Sequence, residues 1–282
     1  MPKATTECPQ QEVIKYPRTA HLFDAGGTAT TNDDLVFPDF ASALETFCNG
    51  NTIVTIEEKV DGANLGVSID PHTQEVLIQN RSHYVSGRGG NHAQFNRLCE
   101  WTALHKEALC GLLGNGDCIL YGEWLTAKHS IPYHRLPDYF VAFDLFDKAT
   151  NRFYSRERFH QALNGTGIPV VPVIYRGVFP RATATTFRQR LIQFLDTKSI
   201  FRTDNGPVEG IVLRVDRGSD NATDNWLESR YKVVRPDFVR GCQGGYWFKR
   251  KIEKQRVDYD FQAEYLEQCY CLQRPDSQEI VD

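Results

Sequence analysis

Short segments rich in β-branched and aromatic residues are the feature that most restricts the fold of this chain. They begin at residue 52, and several alternate apolar with polar side chains, which is typical of strands with one buried face. The segments are TIVTIEE, ANLGVSID, EVLIQN, CILYGEW, YFVAFDLFD, VEGIVLRVD and RYKVV, and a further strand is expected over 170–175. We therefore expect strands to form the main framework.

Segments whose apolar residues recur at helical spacing lie between these strands at irregular intervals. Apolar residues recur every three or four positions over 91–113, and Ser155 can cap a helix that ends near Gly165. Phe187 begins another amphipathic repeat, and the chain from about Tyr246 onward is also predicted to be helical. This irregular mixture predicts an α+β fold with mixed or antiparallel sheets flanked by helices, rather than a doubly wound sheet.

The same pattern divides the chain into three parts. Residues 1–50 are polar and contain turn-forming residues, so we expect an irregular N-terminal arm packed on the main domain. Residues 51–240 hold the predicted strands and form the main domain. Residues 241–282 are expected to form a short helical C-terminal tail.

Composition argues against several classes of protein. The first residues lack the apolar stretch of a secretory signal, and no apolar run is long enough to span a bilayer, so we expect an intracellular protein without membrane contact. The eight cysteines form no CxxC pair, which argues against a zinc site and favours reduced thiols. The net charge is −4, so any site for a polyanion requires local clustering of Lys and Arg.

Lys59 is the first candidate for chemistry, because it precedes Val60-Asp61-Gly62 at the end of a predicted strand. A protonated lysine is a poor nucleophile, so a reactive one needs a pKa that burial or neighbouring cations have lowered. A glycine-containing turn exposes the amine while the strand fixes its base. The alternative is a surface lysine in a hairpin turn, which this motif alone does not exclude.

Further motifs follow Lys59 in a fixed order: Arg81 in QNRSHYV, Glu123 in LYGEWL, Phe143 and Asp144 in VAFDLFD, Glu209 in VEGIVLR, and Lys232 in RYKVV. The series resembles the nucleotidyltransferase motifs of ATP-dependent RNA ligases, a branch of the covalent nucleotidyltransferase superfamily, and in particular double-strand RNA ligases. The resemblance covers roughly residues 51–238 and includes the stretch HSIPYHRLPDYF between motifs. It implies a nucleotidyltransferase (ligase adenylylation) domain.

The resemblance also implies a three-step reaction. Lys59 attacks the α-phosphate of ATP and expels pyrophosphate, the AMP moves to a 5′-phosphate on RNA, and a 3′-hydroxyl then displaces AMP and seals the strand. Negative charge grows at phosphorus in each step, so the site needs fixed cations and a metal ion. The implied ligands are ATP, RNA ends, and Mg²⁺ or Mn²⁺, and we expect a monomer.

Residue roles follow from the positions that match the family's motifs. Lys232 matches a lysine that contacts the α-phosphate, Glu209 a carboxylate that binds the metal ion, and Arg81 a cation that grips phosphate. Glu123 is implied to hold the ribose hydroxyls, and Phe143 to stack on adenine. Asp61 and Asn64 resemble positions that orient the catalytic lysine and the RNA end, and Glu58 is implied to belong to the nucleotide site.

Each of these roles has a structural alternative. Glu123 and Glu209 lie beside glycines at strand ends, where a carboxylate is often simply solvated. Phe143 is also suited to a hydrophobic core, and Asp144 points to the other face of the same strand, so its implied role is indirect. Lys232 is alternatively a charge on an edge strand.

The sequence departs from the resemblance just after Lys232. Many relatives have a second lysine two residues later, where this chain has Val234, so phosphate activation would pass to Arg235 or Arg214 as substrate contacts. Arg214 is alternatively one half of a surface ion pair. A non-catalytic protein that keeps the fold to bind nucleotides or RNA ends is the alternative function.

Two other stretches are weaker candidates for RNA contact. The SGRGG sequence at 86–90 resembles a phosphate-binding loop but lacks the P-loop spacing. Basic residues cluster between Lys249 and Arg256, where they suit either an RNA backbone or a solvated helix face.

Overall fold

The structure, a computed structural model, describes residues 13–27, 30, 34–37, 39–85, 93–215, 229–238 and 252–271. The α-helices in these ranges are α1 (Phe40–Phe47), α2 (Leu98–Leu113), α3 (Arg156–Leu163), α4 (Ala184–Phe194) and α5 (Tyr259–Gln268). None of them has the length and apolar character that crossing a membrane requires. The strands in the same ranges are β1 (Ile53–Lys59), β2 (Ala63–Ile69), β3 (Val76–Gln79), β4 (Cys118–Trp124), β5 (Phe140–Asp147), β6 (Arg152–Phe153), β7 (Val173–Val178), β8 (Gly210–Val215) and β9 (Arg230–Val234).

These strands form two sheets in which every pairing is antiparallel. Sheet A has the strand order β7-β1-β8-β9, and sheet B has the order β3-β2-β4-β5-β6. β1 ends at Lys59 and β2 begins at Ala63, so residues 60–62 connect one sheet to the other. The predicted α+β class with antiparallel sheets is confirmed.

Each sheet buries one face against helices. Sheet B and helices α2 and α3 enclose a core that includes Leu65, Leu120 and Phe159. Sheet A and helices α1 and α4 enclose a second core that includes Ile56 and Phe187. Full burial of one Leu or Phe side chain contributes about 1.5–3 kcal/mol, so tertiary packing rather than helix propensity holds these short helices in place.

Side-chain caps define where the helices begin. Ser155 accepts a hydrogen bond from the N–H of Arg158, which confirms the predicted cap of α3. Asp39 caps α1, Thr183 caps α4 and Asp258 caps α5 in the same way. Each cap satisfies N–H groups that the first helical turn leaves without a partner.

Three elements differ from the sequence prediction. Residues 1–50 were expected to be irregular, yet they contain helix α1. The strand expected over 170–175 lies at Val173–Val178, because Val170 forms an isolated bridge with Ala142 of sheet B before the chain crosses to sheet A. Helix α5 lies in the predicted helical tail, whereas residues 239–251, where that helix was expected to begin, are outside the described residues.

The described residues between 13 and 39, termed here the N-terminal strap, extend the edge of sheet A. The N–H of Lys232 in β9 donates to the carbonyl of Ala20, and the N–H of Leu22 donates to the carbonyl of Lys232, both at 2.9 Å. His21 lies between them and is fully buried. The strap therefore runs beside β9 in a fixed register.

Candidate active site

A cavity of about 380 Å³ lies at the end of β1. Strands of both sheets and the N-terminal strap supply its lining, and a volume of this order suits a small-molecule ligand. Asp61, Glu209 and Arg235 are outside the lining. The other predicted site residues line it: Glu58, Lys59, Asn64, Arg81, Glu123, Phe143, Arg214 and Lys232.

The strand register of sheet A positions Lys59. Its partner across the sheet is Gly210, where a Cβ atom would lie 2.4 Å from the carbonyl oxygen of Val233, so only glycine fits. The Lys59 side chain is 27% exposed, and its Nζ lies 2.6 Å from Oε1 of Glu209, the residue before Gly210. The amine therefore lies in the cavity wall beside a buried carboxylate.

The charge state of Lys59 differs from the sequence expectation. Burial alone would lower its pKa, but the carboxylates of Glu209, Glu123 and Asp61 outweigh burial, and the net shift is upward. The expected lowering of the Lys59 pKa is therefore wrong, because carboxylates rather than cations surround the amine. Lys59 is an ammonium group, and attack from it requires the loss of a proton.

Three carboxyl groups lie at this end of the cavity: those of Glu58 and Glu209, which are buried, and that of Glu123, which is partly buried. Burial raises the pKa of each to about 7; Lys59 opposes the shift at Glu123 and Glu209, and a hydrogen bond with Ser199 opposes it at Glu58. Oε1 of Glu58 and Oε2 of Glu209 are buried without a hydrogen-bond partner among the described residues. Buried polar atoms seldom lack partners, so the described residues leave these two oxygens short of hydrogen-bond donors.

Glu209 is the carboxylate in this region that is best suited to bind a divalent cation. No group of three His, Cys, Asp or Glu side chains within the described ranges is arranged to hold a metal ion. Mg²⁺, however, is commonly held by one or two carboxylates while phosphates and water complete its shell. The unpartnered Oε2 of Glu209 suits a carboxylate ligand of that kind.

Glu123 joins sheet B to the turn that carries the lysine. It faces Asn64 across strands β4 and β2, and its Oε1 accepts a hydrogen bond from the N–H of Gly62 at 3.2 Å. A Cβ at Gly62 would lie 2.9 Å from Cγ of Glu123, so glycine permits this approach. The Arg81 side chain is close enough to lower the pKa of Glu123 and offset part of the effect of burial.

Phe143 belongs to both the cavity and the core. Its ring packs against Tyr16 of the N-terminal strap, with centroids 5.0 Å apart and planes at 65°. It also packs against the hydrophobic cluster that contains Val141 and Val171. The side chain is only partly buried and lines the cavity, so the structural and ligand-binding interpretations of Phe143 are compatible.

Asp61 holds a loop rather than lining the cavity. Its Oδ2 accepts hydrogen bonds from the N–H groups of Ser130 at 2.7 Å and Ile131 at 2.9 Å. Its own N–H donates to the hydroxyl oxygen of Tyr133 at 2.8 Å. Asp61 thereby fixes the loop after β4 to the turn after Lys59, and its charge adds to the upward shift of the Lys59 pKa.

A buried ionic cluster centred on Asp144 adjoins the cavity wall. Asp144 contacts Arg156 at 2.5 Å, Arg214 at 3.1 Å and also Arg230, and Glu57 contacts Arg156 and Arg214 at 3.1 Å each. These five residues are termed the Asp144 cluster. Burial alone would raise the pKa of Asp144, but the three guanidinium groups outweigh burial and hold it well below its ordinary value. Arg214 thus forms buried ion pairs, not a surface pair, and lines the cavity as well.

The region around Lys232 contributes one cation to the cavity. Lys232 lines it from β9, and its Nζ lies 3.1 Å from Oδ1 of Asp34 in the N-terminal strap. Val234 is fully buried in the core. Arg235 pairs with Asp237 at 2.5 Å. Neither Val234 nor Arg235 therefore adds a charge to the lining.

Sequence analysis missed the contribution of the strap. Tyr16, Arg18, Thr19, Asp34 and Leu35 line the cavity, although they lie in a polar arm without a recognisable motif. Strand alternation identifies β1 and β9, but no local pattern indicates that the arm packs beside β9. The strap residues were therefore not predictable from spacing.

Both weaker candidates for RNA contact fall at least partly outside the described residues. The SGRGG loop at 86–90 and the basic residues at 249–251 lie outside them. Lys254 and Arg256 of the basic cluster are described and exposed, and neither lines the cavity.

Solved structures share this fold. A variant of the Naegleria gruberi RNA ligase with ATP and Mn aligns with a TM-score of 0.51 and 15% identity, over 78% of this chain and 62% of that chain. A variant of the same ligase with AMP and Mn aligns with a TM-score of 0.51 and 16% identity, over 78% and 61%. The Naegleria ligase with PPi gives a TM-score of 0.51 and 15% identity, over 78% and 61%. Identities this low support the fold alone, and the chain spans less than two thirds of that ligase.

Sequence comparison assigns the family. No curated protein gives a significant match to the sequence. The model of the family described as RNA ligase matches residues 52–234, which run from the start of β1 to the end of β9. That match covers well over half of the chain and includes the cavity residues of both sheets. The chain therefore belongs to the RNA ligase family.

Proposed function

We propose that this chain is an ATP-dependent RNA ligase that joins a 3′-hydroxyl to a 5′-phosphate through AMP bound covalently to Lys59. One observation carries the proposal. Lys59 lines the same cavity as Glu123, Phe143 and Lys232, with its amine 2.6 Å from Glu209. Membership of the RNA ligase family supports RNA as the substrate.

In the first step, a bond forms between Lys59 Nζ and the α-phosphorus of ATP, and the bond to the pyrophosphate oxygen breaks. The ammonium group must lose a proton before it attacks. The Glu209 carboxylate is 2.6 Å away, so it is placed to accept that proton. Lys232 supplies positive charge for the phosphate.

The remaining cavity residues orient the nucleotide. The partly buried ring of Phe143 suits stacking on the adenine base, and the carboxyl group of Glu123 suits hydrogen bonding to the ribose hydroxyls. Arg81 is exposed where it lines the cavity, which suits contact with a phosphate group that enters from solvent. Such fixed contacts lower the barrier mainly by holding the reacting atoms in line.

A divalent cation, Mg²⁺ or Mn²⁺, is part of the proposal. Solved variants of the Naegleria ligase contain Mn with ATP or with AMP. In this chain Glu209 would hold the cation through the oxygen that has no partner among the described residues. When bound, the cation supplies positive charge that offsets the phosphates and the carboxylates around Lys59.

The last two steps use the same cavity. The 5′-phosphate of RNA attacks the lysyl phosphoramidate, the nitrogen–phosphorus bond breaks, and Lys59 regains a proton. The 3′-hydroxyl then attacks the activated 5′ end, and AMP leaves with the bridging oxygen. Lys232 and Arg81 are the cavity cations suited to hold the RNA phosphate during these steps.

The test of this function is incubation with ATP labelled at the α-phosphate and a divalent cation. We expect acid-labile label on the wild-type polypeptide and none on Lys59→Ala. Lys128→Ala is a matched control, because Lys128 pairs with Glu253 outside the cavity, and it should label as the wild type does. Unlabelled wild-type protein across several metals and pH values would contradict the proposal.

A non-catalytic nucleotide-binding role is the second candidate, and the raised pKa of Lys59 favours it. A protein of that kind would bind ATP and never form the phosphoramidate. Binding of ATP without labelling would therefore distinguish it from a ligase. If labelling does occur, sealing assays with nicked duplexes and single strands would then identify the preferred RNA end.

A further inference from the structure

Two adjacent backbone bridges within the N-terminal strap and to β9 determine which residue lies beside the Lys232 side chain. His21 of the N-terminal strap pairs with Lys232 on one side and with Val36, also in the strap, on the other. The N–H of His21 donates to the carbonyl of Leu35, and the N–H of Phe37 donates to the carbonyl of His21, both at 2.7 Å. The register of these bridges, rather than a freely moving loop, brings Asp34 beside the lysine.

Asp34 contacts Lys232 inside the cavity lining. Its Oδ1 lies 3.1 Å from Nζ of Lys232 and 3.5 Å from Nε2 of the fully buried His21. The side chains of Asp34 and Lys232 are only 13% and 16% exposed, so solvent screens the pair weakly. A ligand phosphate that binds Lys232 must therefore enter a space where a carboxylate already neutralises the lysine.

We infer that Asp34 is an internal competitor for Lys232, which phosphate-bearing ligands must displace and which returns to the lysine when the phosphate leaves. The inference rests on the proposed function, since it takes a phosphorylated nucleotide as the ligand. It deepens that function by assigning Asp34 as a positioning residue that acts through Lys232 and weakens the hold on phosphate groups, including released pyrophosphate. The strap that carries Asp34 lies outside residues 52–234, which the family model matches.

The chemistry of the exchange explains why Asp34 affects only ligands that carry phosphate. A phosphate oxygen can replace the Asp34 carboxylate, because both are anions that accept hydrogen bonds from an ammonium group. Adenosine carries no such group and gains nothing by displacing Asp34. Removing the Asp34 charge should therefore strengthen binding of phosphate compounds and leave binding of the nucleoside unchanged.

Calorimetric titration of the full chain with inorganic pyrophosphate, α,β-methylene-ATP and adenosine tests this. The methylene analogue is used because Lys59 cannot expel its terminal phosphates. We expect Asp34→Asn to bind pyrophosphate and the analogue about tenfold more tightly than the wild type, equivalent to about 1.4 kcal/mol. Adenosine should bind both proteins equally, and Asp34→Glu should behave as the wild type.

Two further variants isolate the cause. Asp237→Asn is the matched control, because Asp237 pairs with Arg235 outside the cavity, and its titrations should match the wild type. Combining Asp34→Asn with Lys232→Ala should remove the gain, since the lysine is the contested group. Thermal unfolding checks that each variant is folded, and Asp34→Ser replaces Asp34→Asn if the latter is unfolded.

The outcomes separate this inference from the proposed function. Unchanged or weaker pyrophosphate binding by Asp34→Asn would overturn the inference, as would an equal gain for adenosine. If the Asp34 inference failed in this way but the wild type became labelled on Lys59, the proposed ligase function would be retained without it. A tenfold gain in a protein that never becomes labelled would instead retain the role of Asp34 and reject adenylylation.

Discussion

Two buried charged clusters lie side by side in this molecule, and they are balanced in opposite ways. The Asp144 cluster surrounds two carboxylates with three guanidinium groups, and the pKa of Asp144 falls well below its ordinary value. The second, termed the Lys59 cluster, consists of Lys59, Glu58, Glu123 and Glu209. It has three carboxyl groups and one amine, and burial raises the pKa of each carboxyl to about 7.

The difference agrees with the proposed function, in which the Lys59 cluster binds a ligand while the Asp144 cluster stabilises the fold. A buried charge is tolerable when opposite charges and hydrogen bonds compensate it, as they do for Asp144. In the Lys59 cluster, one buried oxygen of Glu58 and one of Glu209 have no hydrogen-bond partner among the described residues. Perturbed and incompletely compensated groups in a cavity mark functional sites more often than structural ones.

The largest expected effect comes from unbalancing the compensated cluster. Asp144→Ala would leave Glu57 as the one carboxylate of the cluster beside three buried guanidinium groups, so we expect the free energy of unfolding to fall by about 3–5 kcal/mol. Urea unfolding at pH 7 measures the change. Asp204→Ala removes a carboxylate from an exposed pair with Arg202, and it should cost less than about 1 kcal/mol. If both variants lost the same free energy of unfolding, the Asp144 cluster would not have the stabilising role described here.

In the Lys59 cluster a substitution is expected to affect the reaction rate strongly and the stability only weakly. Glu209→Gln should slow formation of lysyl-AMP about 100-fold, because it removes the proton acceptor and the proposed cation ligand. The free energy of unfolding should change by less than about 1 kcal/mol, since an amide relieves repulsion among the carboxylates. Single-turnover labelling and urea unfolding of the same preparation measure both values. If Glu209→Gln lost as much free energy of unfolding as Asp144→Ala, the two clusters would not differ in the way described here.

The last expected effect is in the pH dependence of stability. The three carboxyls of the Lys59 cluster have pKa values of about 7 in the folded state against an ordinary 4.5, so the folded protein binds more protons within that window. The free energy of unfolding should therefore fall as pH rises through this range. The Asp144 contribution is lost only at lower pH, because its pKa is depressed.

Two variants assign this pH dependence. Glu123→Gln should make the fall in unfolding free energy between pH 4.5 and 7 shallower. His105 pairs with Asp138 outside both clusters, and that pairing raises its pKa against the lowering effect of burial. Its stabilising contribution is present below pH 6.5 and is lost as pH rises through the raised pKa, so His105→Gln should alter only the upper part of the curve. An unchanged slope in Glu123→Gln would show that the Lys59 cluster does not titrate as described.

Much of the fold followed from local patterns. The segment CILYGEW coincides with β4, and Ser155 caps α3 as predicted. Helix α1 was missed, although Asp39 precedes apolar residues at helical spacing, because the surrounding arm is polar and rich in turn-forming residues. The strand expected over 170–175 was displaced since its first residues bridge to the other sheet, which is a tertiary effect.

The site was predictable only where residues belong to strands or motifs. Lys59, Glu123 and Lys232 were identified from ordered motifs, and they line one cavity. Asp34 carries no local signal, because its partner Lys232 is 198 residues away along the chain. The charge state of Lys59 was also beyond a single sequence, since it depends on how many carboxylates the fold gathers around the amine.

The three-residue connection between the sheets has a mechanical consequence. Residues 60–62 can span no more than about 11 Å, so the sheets are tethered at the base of Lys59. The buried Asp144 cluster is a second link, because Asp144 lies in sheet B and its partners Arg214 and Arg230 lie in sheet A. The cavity wall that carries the nucleophile is thus fixed to both sheets, by the chain at residues 60–62 and by buried ion pairs.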